Sequence, residues 1–158
     1  MGLGLWGDLA ALAAAAEIVF ATCVFVYIGR LERRTSHPLG DTVGAHKAVL
    51  AKVRKREPMS RDEVDYAAEL IADARSPLAY AIPAALFTLG FFYVVGCLFV
   101  LHLDGGHPSF RTFIGGIPML TSMNMAGQLR RVAALKKKLR DVEVTDTEPI
   151  EQRQPAHA

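Results

Sequence analysis

Two long segments of this chain lack charges of one or both signs. Residues 1–29 contain no Lys or Arg, and residues 76–103 contain no Asp, Glu, Lys or Arg. A secretory signal peptide begins with a basic region, so we expect that residues 1–29 are not one. We expect the first apolar run, Leu9–Gly29, to remain as a membrane anchor, with Trp6 near its outer end and Tyr27 near its inner end.

Cysteine is scarce, with one residue, Cys23 or Cys97, in each apolar run. Measured from the outer ends of the two predicted spans, these residues differ in depth by roughly 12 Å, and a disulfide needs Cα atoms within about 7 Å. We therefore expect two packing residues. The phosphate-binding, His-Glu-x-x-His and Cys-x-x-Cys motifs are also missing. We expect no catalytic residues, no metal site and no cofactor.

The apolar runs Leu9–Gly29 and Leu78–Leu103 are each long enough to cross a hydrocarbon core of ~30 Å as a helix. Between them, from Arg30 to Arg75, lie ten of the 18 Lys and Arg residues. Because positive charge collects on the cytoplasmic side, we expect this basic segment inside and the N-terminus outside.

The basic segment should fold as a helical hairpin. Apolar residues recur at near-helical spacing from Thr42 to Glu57, and Pro58 ends that pattern. Ser60 and Glu63 form an S-x-x-E capping box, which predicts a second helix over Ser60–Ala74. The apolar residues assigned to the two stripes are Val43, Val49, Leu50, Val53, Val64, Ala67, Ala68, Ile71 and Ala74.

A third, weaker span is predicted from Phe110 to Leu129. It contains Arg111 and several polar residues, but a basic stretch, Arg130–Arg140, follows it, and a third crossing would return that stretch to the cytoplasm. The alternative is two spans with an interfacial third segment. Beyond it, Gly127–Val142 is predicted to be helical, either as a short coiled-coil seam or as a helix that docks on the hairpin or the lipid.

The predicted fold class is therefore all-α: an integral membrane protein with about three transmembrane helices and a cytoplasmic helical hairpin. Residues 1–29 form the external N-terminus and first span, and residues 30–77 form the hairpin. Residues 78–129 form two further spans with a short external turn. Residues 130–158 form a basic helix and, from Glu143, a disordered acidic tail.

Glu17 is the one acid within the apolar runs, where a charge is costly. It is either a proton or cation site, or an interhelical hydrogen-bonding group that fixes packing. The polar residues that we assign to the same intramembrane set are Tyr93, Thr121, Ser122 and Asn124.

The basic clusters are expected to orient the chain or to contact lipid headgroups. Nucleic acid is not an expected partner, because stacking aromatics are missing from these clusters. The residues concerned are Arg54, Lys55, Arg56, Arg130, Arg131, Lys136, Lys137 and Lys138.

The stretch RSPLAYAIPAAL (residues 75–86), together with the Ala-, Arg- and Val-rich composition, looks like small integral membrane proteins of actinobacteria. This resemblance implies a multi-pass protein of the plasma (inner) membrane, and it transfers no site residue.

The function expected from the sequence is that of a non-catalytic accessory or scaffolding subunit of a larger inner-membrane assembly, such as an envelope transport or respiratory complex. Its partners would be the lipid bilayer and either other membrane subunits or further copies of itself. The alternative is a small oligomeric transporter or channel that uses Glu17. A membrane-embedded enzyme is the third possibility.

Overall fold

The computed structural model of the chain describes residues 4–34 and 37–142. All regular structure in that part is helical, as the sequence predicts. The described residues form two compact units. Unit 1 comprises residues 4–34 and 72–133, and unit 2 comprises residues 37–71 and 134–142. The predicted disordered tail, from Glu143 onward, lies outside the described residues.

Unit 1 is built on two long apolar helices. Helix α1 runs from Gly4 to Glu32, and helix α4 runs from Ala81 to Asp104 after a 3-10 turn at Pro77–Tyr80. These two segments, Gly4–Glu32 and Pro77–Asp104, are the ones among the described residues that are long and apolar enough to cross a membrane. Gly105, at φ 67°, ends α4 and donates its N–H to the Leu101 carbonyl, which is a usual way to end a helix.

Helices α1 and α4 pack side by side in opposite directions. Glu17 of α1 contacts Thr88 of α4. Arg34, just after α1, bonds Asp73, shortly before α4, with 2.6 Å between guanidinium and carboxylate. Only Gly7, Ala13 and Tyr27 of α1 are buried, so most of its large apolar side chains face outward. Outward-facing apolar side chains on a helix are typical of a surface that contacts lipid.

After α4 the chain makes a 3-10 turn at Phe110–Phe113, and helix α5 follows from Gly116 to Ala134. The predicted third span, Phe110–Leu129, is therefore not one continuous helix. Its helical part before Arg130 is about 14 residues, roughly 21 Å long, and is shorter than a hydrocarbon core of ~30 Å.

Unit 2 contains helix α2 (Ala45–Lys55), the first part of helix α3 (Arg61–Arg75) and the short helix α6 (Lys136–Arg140). Helix α2 ends at Arg56, which takes the left-handed conformation (φ 60°) and donates its N–H to the Lys52 and Val53 carbonyls. Both helices of the predicted hairpin are thus present. Helix α2 is shorter than the pattern over Thr42–Glu57 indicated, and α3 has the expected length but lies one residue later.

One apolar core joins these three helices. Its fully buried members include Val53 and Met59, and Val142 reaches it from the segment after α6. The leucines Leu135 and Leu139 pack against the same core. The predicted helix Gly127–Val142 is not continuous, because Leu135 separates the end of α5 from α6. Of its two interpretations, docking on the hairpin is the one that the second part, with Leu135 and Leu139, follows. The core residues are Val49, Val53, Met59, Tyr66, Ala67 and Val142.

Val43 does not belong to the apolar stripe assigned to the first hairpin helix. Its side chain is fully exposed, because α2 begins only at Ala45, after Gly44 in a left-handed conformation (φ 85°). Ala68 is also exposed, whereas Ala67, Ile71 and Ala74 are buried as predicted.

Candidate functional site

The polar contact between the two long helices joins Glu17 and Thr88. The Thr88 hydroxyl donates to the Glu17 carboxylate, and both residues are half-buried. The same hydroxyl oxygen lies 3.1 Å from the carbonyl oxygens of Ala84 and Ala85. A hydroxyl has a single proton, so these carbonyls compete with Glu17 for it. Within the described residues Glu17 bonds one side chain, and that side chain is neutral.

The other polar residues that were assigned to this set lie elsewhere. The Tyr93 hydroxyl donates to the Arg111 carbonyl at 3.3 Å. Thr121 and Ser122 each donate to a backbone carbonyl of their own helix, at 2.9 and 2.7 Å, and Asn124 is exposed. None of these four side chains hydrogen-bonds Glu17 in the part of the chain that the structure describes.

Thr88 is the functional candidate that our sequence reasoning missed. Depths were measured from the outer ends of the spans, which placed Tyr93 opposite Glu17. Counted from the inner ends, Glu17 lies about 12 residues from Gly29, and Thr88 lies about 10 residues from Leu78, roughly 18 and 15 Å. Thr88 is also the one Ser or Thr in the run Leu78–Leu103. Together these signals could have identified it.

The backbone just before α5 comes very close to the backbone of α4. Gly90 of α4 and Gly115, just before α5, lie so near that a Cβ on either would collide with the carbonyl oxygen of the other. Small residues allow such a close approach of helices in a membrane. Gly96 and Gly116, which also lie in or beside these helices, make no such contact, because a Cβ added at either would find no atom within 4 Å.

Three of the cations predicted to orient the chain or to contact lipid headgroups bond through their side chains within unit 2. Arg56 pairs with Asp141 at 3.2 Å and Lys55 with Glu57 at 3.4 Å, while Lys138 donates to the Arg54 carbonyl at 3.3 Å. The remaining members of that set are exposed and form no ion pair with any described residue, namely Arg130, Arg131, Lys136 and Lys137.

Unit 2 also contains a linked cap and ion pair. The Ser60 and Glu63 side chains bond each other's backbone N–H, at 3.3 and 3.1 Å, which confirms the predicted capping box. The other Glu63 oxygen accepts from Lys52 at 2.6 Å. The hydrogen bond from Lys52 lowers the pKa of Glu63, and the Ser60 N–H and the Lys52 charge act in the same direction against the opposing effect of burial.

No cluster of three or more His, Cys, Asp or Glu side chains suited to a metal ion occurs among residues 4–34 and 37–142. Cys23 and Cys97 are both free thiols. The four ion pairs among the described residues share no side chain with one another.

The chain matches no family model, no curated protein and no solved structure.

Proposed function

We propose that this chain is a three-span inner-membrane protein and a non-catalytic accessory or scaffolding subunit of a larger membrane assembly. The observation that carries the proposal is the outward apolar surface of α1. Large side chains along its whole length are mostly exposed, among them Leu12 at 67%, Ile18 at 69% and Phe25 at 81%. This surface is available to lipid and to other membrane helices, including further copies of the chain.

The composition of unit 2 supports the third crossing. Its core takes Val49 and Val53 from the segment between the two apolar helices, and Val142 from the segment after α5. Segments that share one core lie on the same side of a membrane. If α1 and α4 both cross, α4 ends on the opposite side at Asp104, so the chain must cross once more before residue 134.

The position of Gly115 suggests how a short α5 completes that crossing. Gly115 meets Gly90, which lies about 14 residues, or roughly 21 Å, before the end of α4. Residues 105–115 thus return along α4 before α5 begins. Non-helical backbone at membrane depth is tolerated where it is buried against protein. Thr112 and Gly115 are buried here, and the exposed side chains of Phe110, Phe113 and Ile114 beside them are apolar.

Charge supports the orientation. Unit 2 contains most of the basic residues of the middle segment, and Lys136, Lys137 and Arg140 are added to it by α6. Under the positive-inside rule these residues remain in the cytoplasm. The N-terminus and the turn after Asp104 then lie outside.

An accessory role fits the surroundings of Glu17 better than transport does. A pathway needs polar groups that follow one another across the membrane. Glu17 bonds Thr88. Asn124 is the other polar residue that a transport path would include, but it is exposed and makes no hydrogen bond to Glu17. Because Glu17 and Asn124 do not interact, we infer that Glu17 forms an interhelical bond that fixes packing.

Two variants of Glu17 test the proposal against the transporter alternative. Glu17→Gln keeps the size and a hydrogen-bonding group, so assembly should survive. Glu17→Leu removes the bond that holds α1 against α4, so the outward surface of α1 should shift and the complex isolated in mild detergent should dissociate. Ala16→Leu in the same helix is the matched control for added bulk.

Ion flux is measured in vesicles with the purified chain. We expect no flux from the wild type. Flux that is present in the wild type and lost in Glu17→Gln, while assembly persists, would establish transport and overturn the accessory role.

A further inference from the structure

An apolar groove of about 460 Å³ lies along the second half of α4. Phe92, Gly96, Cys97 and Val100 line its length, and the 3-10 turn with Arg111 and Thr112 closes one side. From Phe92 to Leu101 the groove extends for nine residues of helix, about 14 Å. That length is close to half of a ~30 Å hydrocarbon core, which is the depth of one leaflet.

The groove is open because Gly96 has no side chain. A Cβ at that position would meet no atom within 4 Å, in contrast to Gly90, where it would collide with Gly115. The wall opposite α4 is held in place by hydrogen bonds. Ser109 and Thr112 cap the 3-10 turn reciprocally, and the Tyr93 hydroxyl donates to the Arg111 carbonyl at 3.3 Å. The position of the Arg111 backbone is thereby fixed beside the groove.

Arg111 is the one Lys or Arg between Arg75 and Arg130. Its side chain is exposed, and no carboxylate within the described ranges forms an ion pair with it. A guanidinium group presents several N–H donors in a planar fork that matches phosphate oxygens. The groove therefore has apolar walls and one unpaired cation suited to a phosphate.

We propose that this groove binds an anionic phospholipid, with an acyl chain along Phe92, Gly96, Cys97 and Val100 and the phosphate on Arg111. The inference rests on α4 crossing a membrane, as proposed above. A partner helix would need to bring a carboxylate of its own to the guanidinium of Arg111. A lipid phosphate already lies at the membrane interface, which a long Arg side chain can reach by extending toward the water.

Cys97 lines the groove, and its reactivity reports occupancy. The full chain in a non-ionic detergent is treated with a maleimide while short-chain phosphatidylglycerol is added, and alkylation of each cysteine is followed by mass spectrometry of its peptide. Cys23, the other free thiol, lies in α1 and is the internal reference. We expect phosphatidylglycerol to protect Cys97 and not Cys23, at about a tenfold lower concentration than phosphatidylcholine of equal chain length.

The variant Arg111→Gln should remove this preference for the anionic lipid, and Arg111→Lys should retain part of it. Arg75→Gln, which removes the same charge outside the groove, should change nothing. Gly96→Leu fills the groove and should reduce the number of phosphatidylglycerol molecules that remain bound in native mass spectrometry. Inorganic phosphate alone should not protect Cys97.

Equal protection by the two lipids, or an unchanged preference in Arg111→Gln, would overturn the proposal. Protection that rises with protein concentration in the absence of lipid would identify a second copy of the chain as the occupant and would also overturn it. These results concern lipid binding in detergent. They leave the assembly and flux of the Glu17 variants as a separate test of the proposed function.

Discussion

The Thr88 hydroxyl of α4 donates to the Glu17 carboxylate of α1, and this bond joins two helices that are otherwise held together by apolar packing. The nearest competing acceptors, the Ala84 and Ala85 carbonyls, belong to Thr88's own helix and are already bonded within it. Glu17, by contrast, bonds no other described side chain. Without this bond Thr88 could still donate to a carbonyl of its own helix, whereas Glu17 would lose its one side-chain partner among the described residues. The main effect of the bond is therefore to hold α1 against α4.

We expect Thr88→Val to weaken the association of α1 with α4 by roughly 0.6–2 kcal/mol, the range for hydrogen bonds between membrane helices. Valine keeps the shape of threonine and leaves Glu17 without its donor. Thr88→Ser keeps the hydroxyl and should stay close to the wild type. The free energy of unfolding in detergent measures both variants, and equal losses for valine and serine would show that shape, not the hydrogen bond, is what matters at this position.

The contact between Gly90 and Gly115 predicts a contrast between two glycines of the same helix. In Gly90→Ala the new methyl group meets the Gly115 carbonyl, Met119 Cγ at 2.9 Å and Pro118 Cγ at 3.0 Å. Such overpacking costs about 1–3 kcal/mol. In Gly96→Ala the methyl group meets nothing, and alanine is the better helix former.

Thermal unfolding in detergent should therefore show a lower Tm for Gly90→Ala and an unchanged or higher Tm for Gly96→Ala. If both substitutions lowered the Tm by the same amount, the result would contradict the close contact between Gly90 and Gly115.

Local patterns in the sequence predicted some of these features and not others. The Ser60–Glu63 box was found because its partners are three residues apart. The pairing of Gly90 with Gly115 could not be chosen from sequence, because Gly96 and Gly116 satisfy the same small-residue pattern. Which distant residues meet depends on how two helices are aligned along their axes. An error of about one turn in that alignment was enough to place Tyr93, rather than Thr88, opposite Glu17.

The capping box predicts that Ser60→Ala destabilises the start of α3. The Glu63 N–H loses its bond to the Ser60 hydroxyl, and the loss of such a cap costs ~0.5–2 kcal/mol. Hydrogen exchange of the amides from Arg61 to Ala74 should become faster, most of all in the first turn. Ser76→Ala is the control, because Ser76 precedes a 3-10 turn and makes no side-chain cap bond there. Unchanged protection in the first turn of α3 would contradict the assigned role.

The Lys52–Glu63 pair predicts a pH dependence in unit 2. The hydrogen bond from Lys52 lowers the pKa of Glu63 in the folded chain. The stabilisation is therefore fully present above the unfolded-state pKa of Glu, about 4.3, and is lost as the pH falls through the lower folded-state pKa. Both side chains are partly exposed, so the gain is below ~1 kcal/mol.

Urea unfolding of the wild type and of Lys52→Gln measures this effect. The two chains should differ in stability near pH 7 and converge when the pH is well below 4. Lys47→Gln, which removes an exposed cation of the same helix, should follow the wild type at every pH. A difference between the wild type and Lys52→Gln that persists undiminished in acid would rule out Glu63 as the titrating partner.

The shared core of unit 2 predicts that the segments before α4 and after α5 lie on the same side of the membrane, and this can be measured by labelling. Single cysteines are introduced as Lys47→Cys, His107→Cys and Lys137→Cys into a chain that carries Cys23→Ser and Cys97→Ser, and intact cells are treated with a membrane-impermeant maleimide. All three positions are exposed in the structure. We predict that His107→Cys is labelled in intact cells, and that Lys47→Cys and Lys137→Cys are labelled only after the membrane is permeabilised. Labelling of Lys137→Cys from outside, with Lys47→Cys protected, would contradict the third crossing and the single core on which it rests.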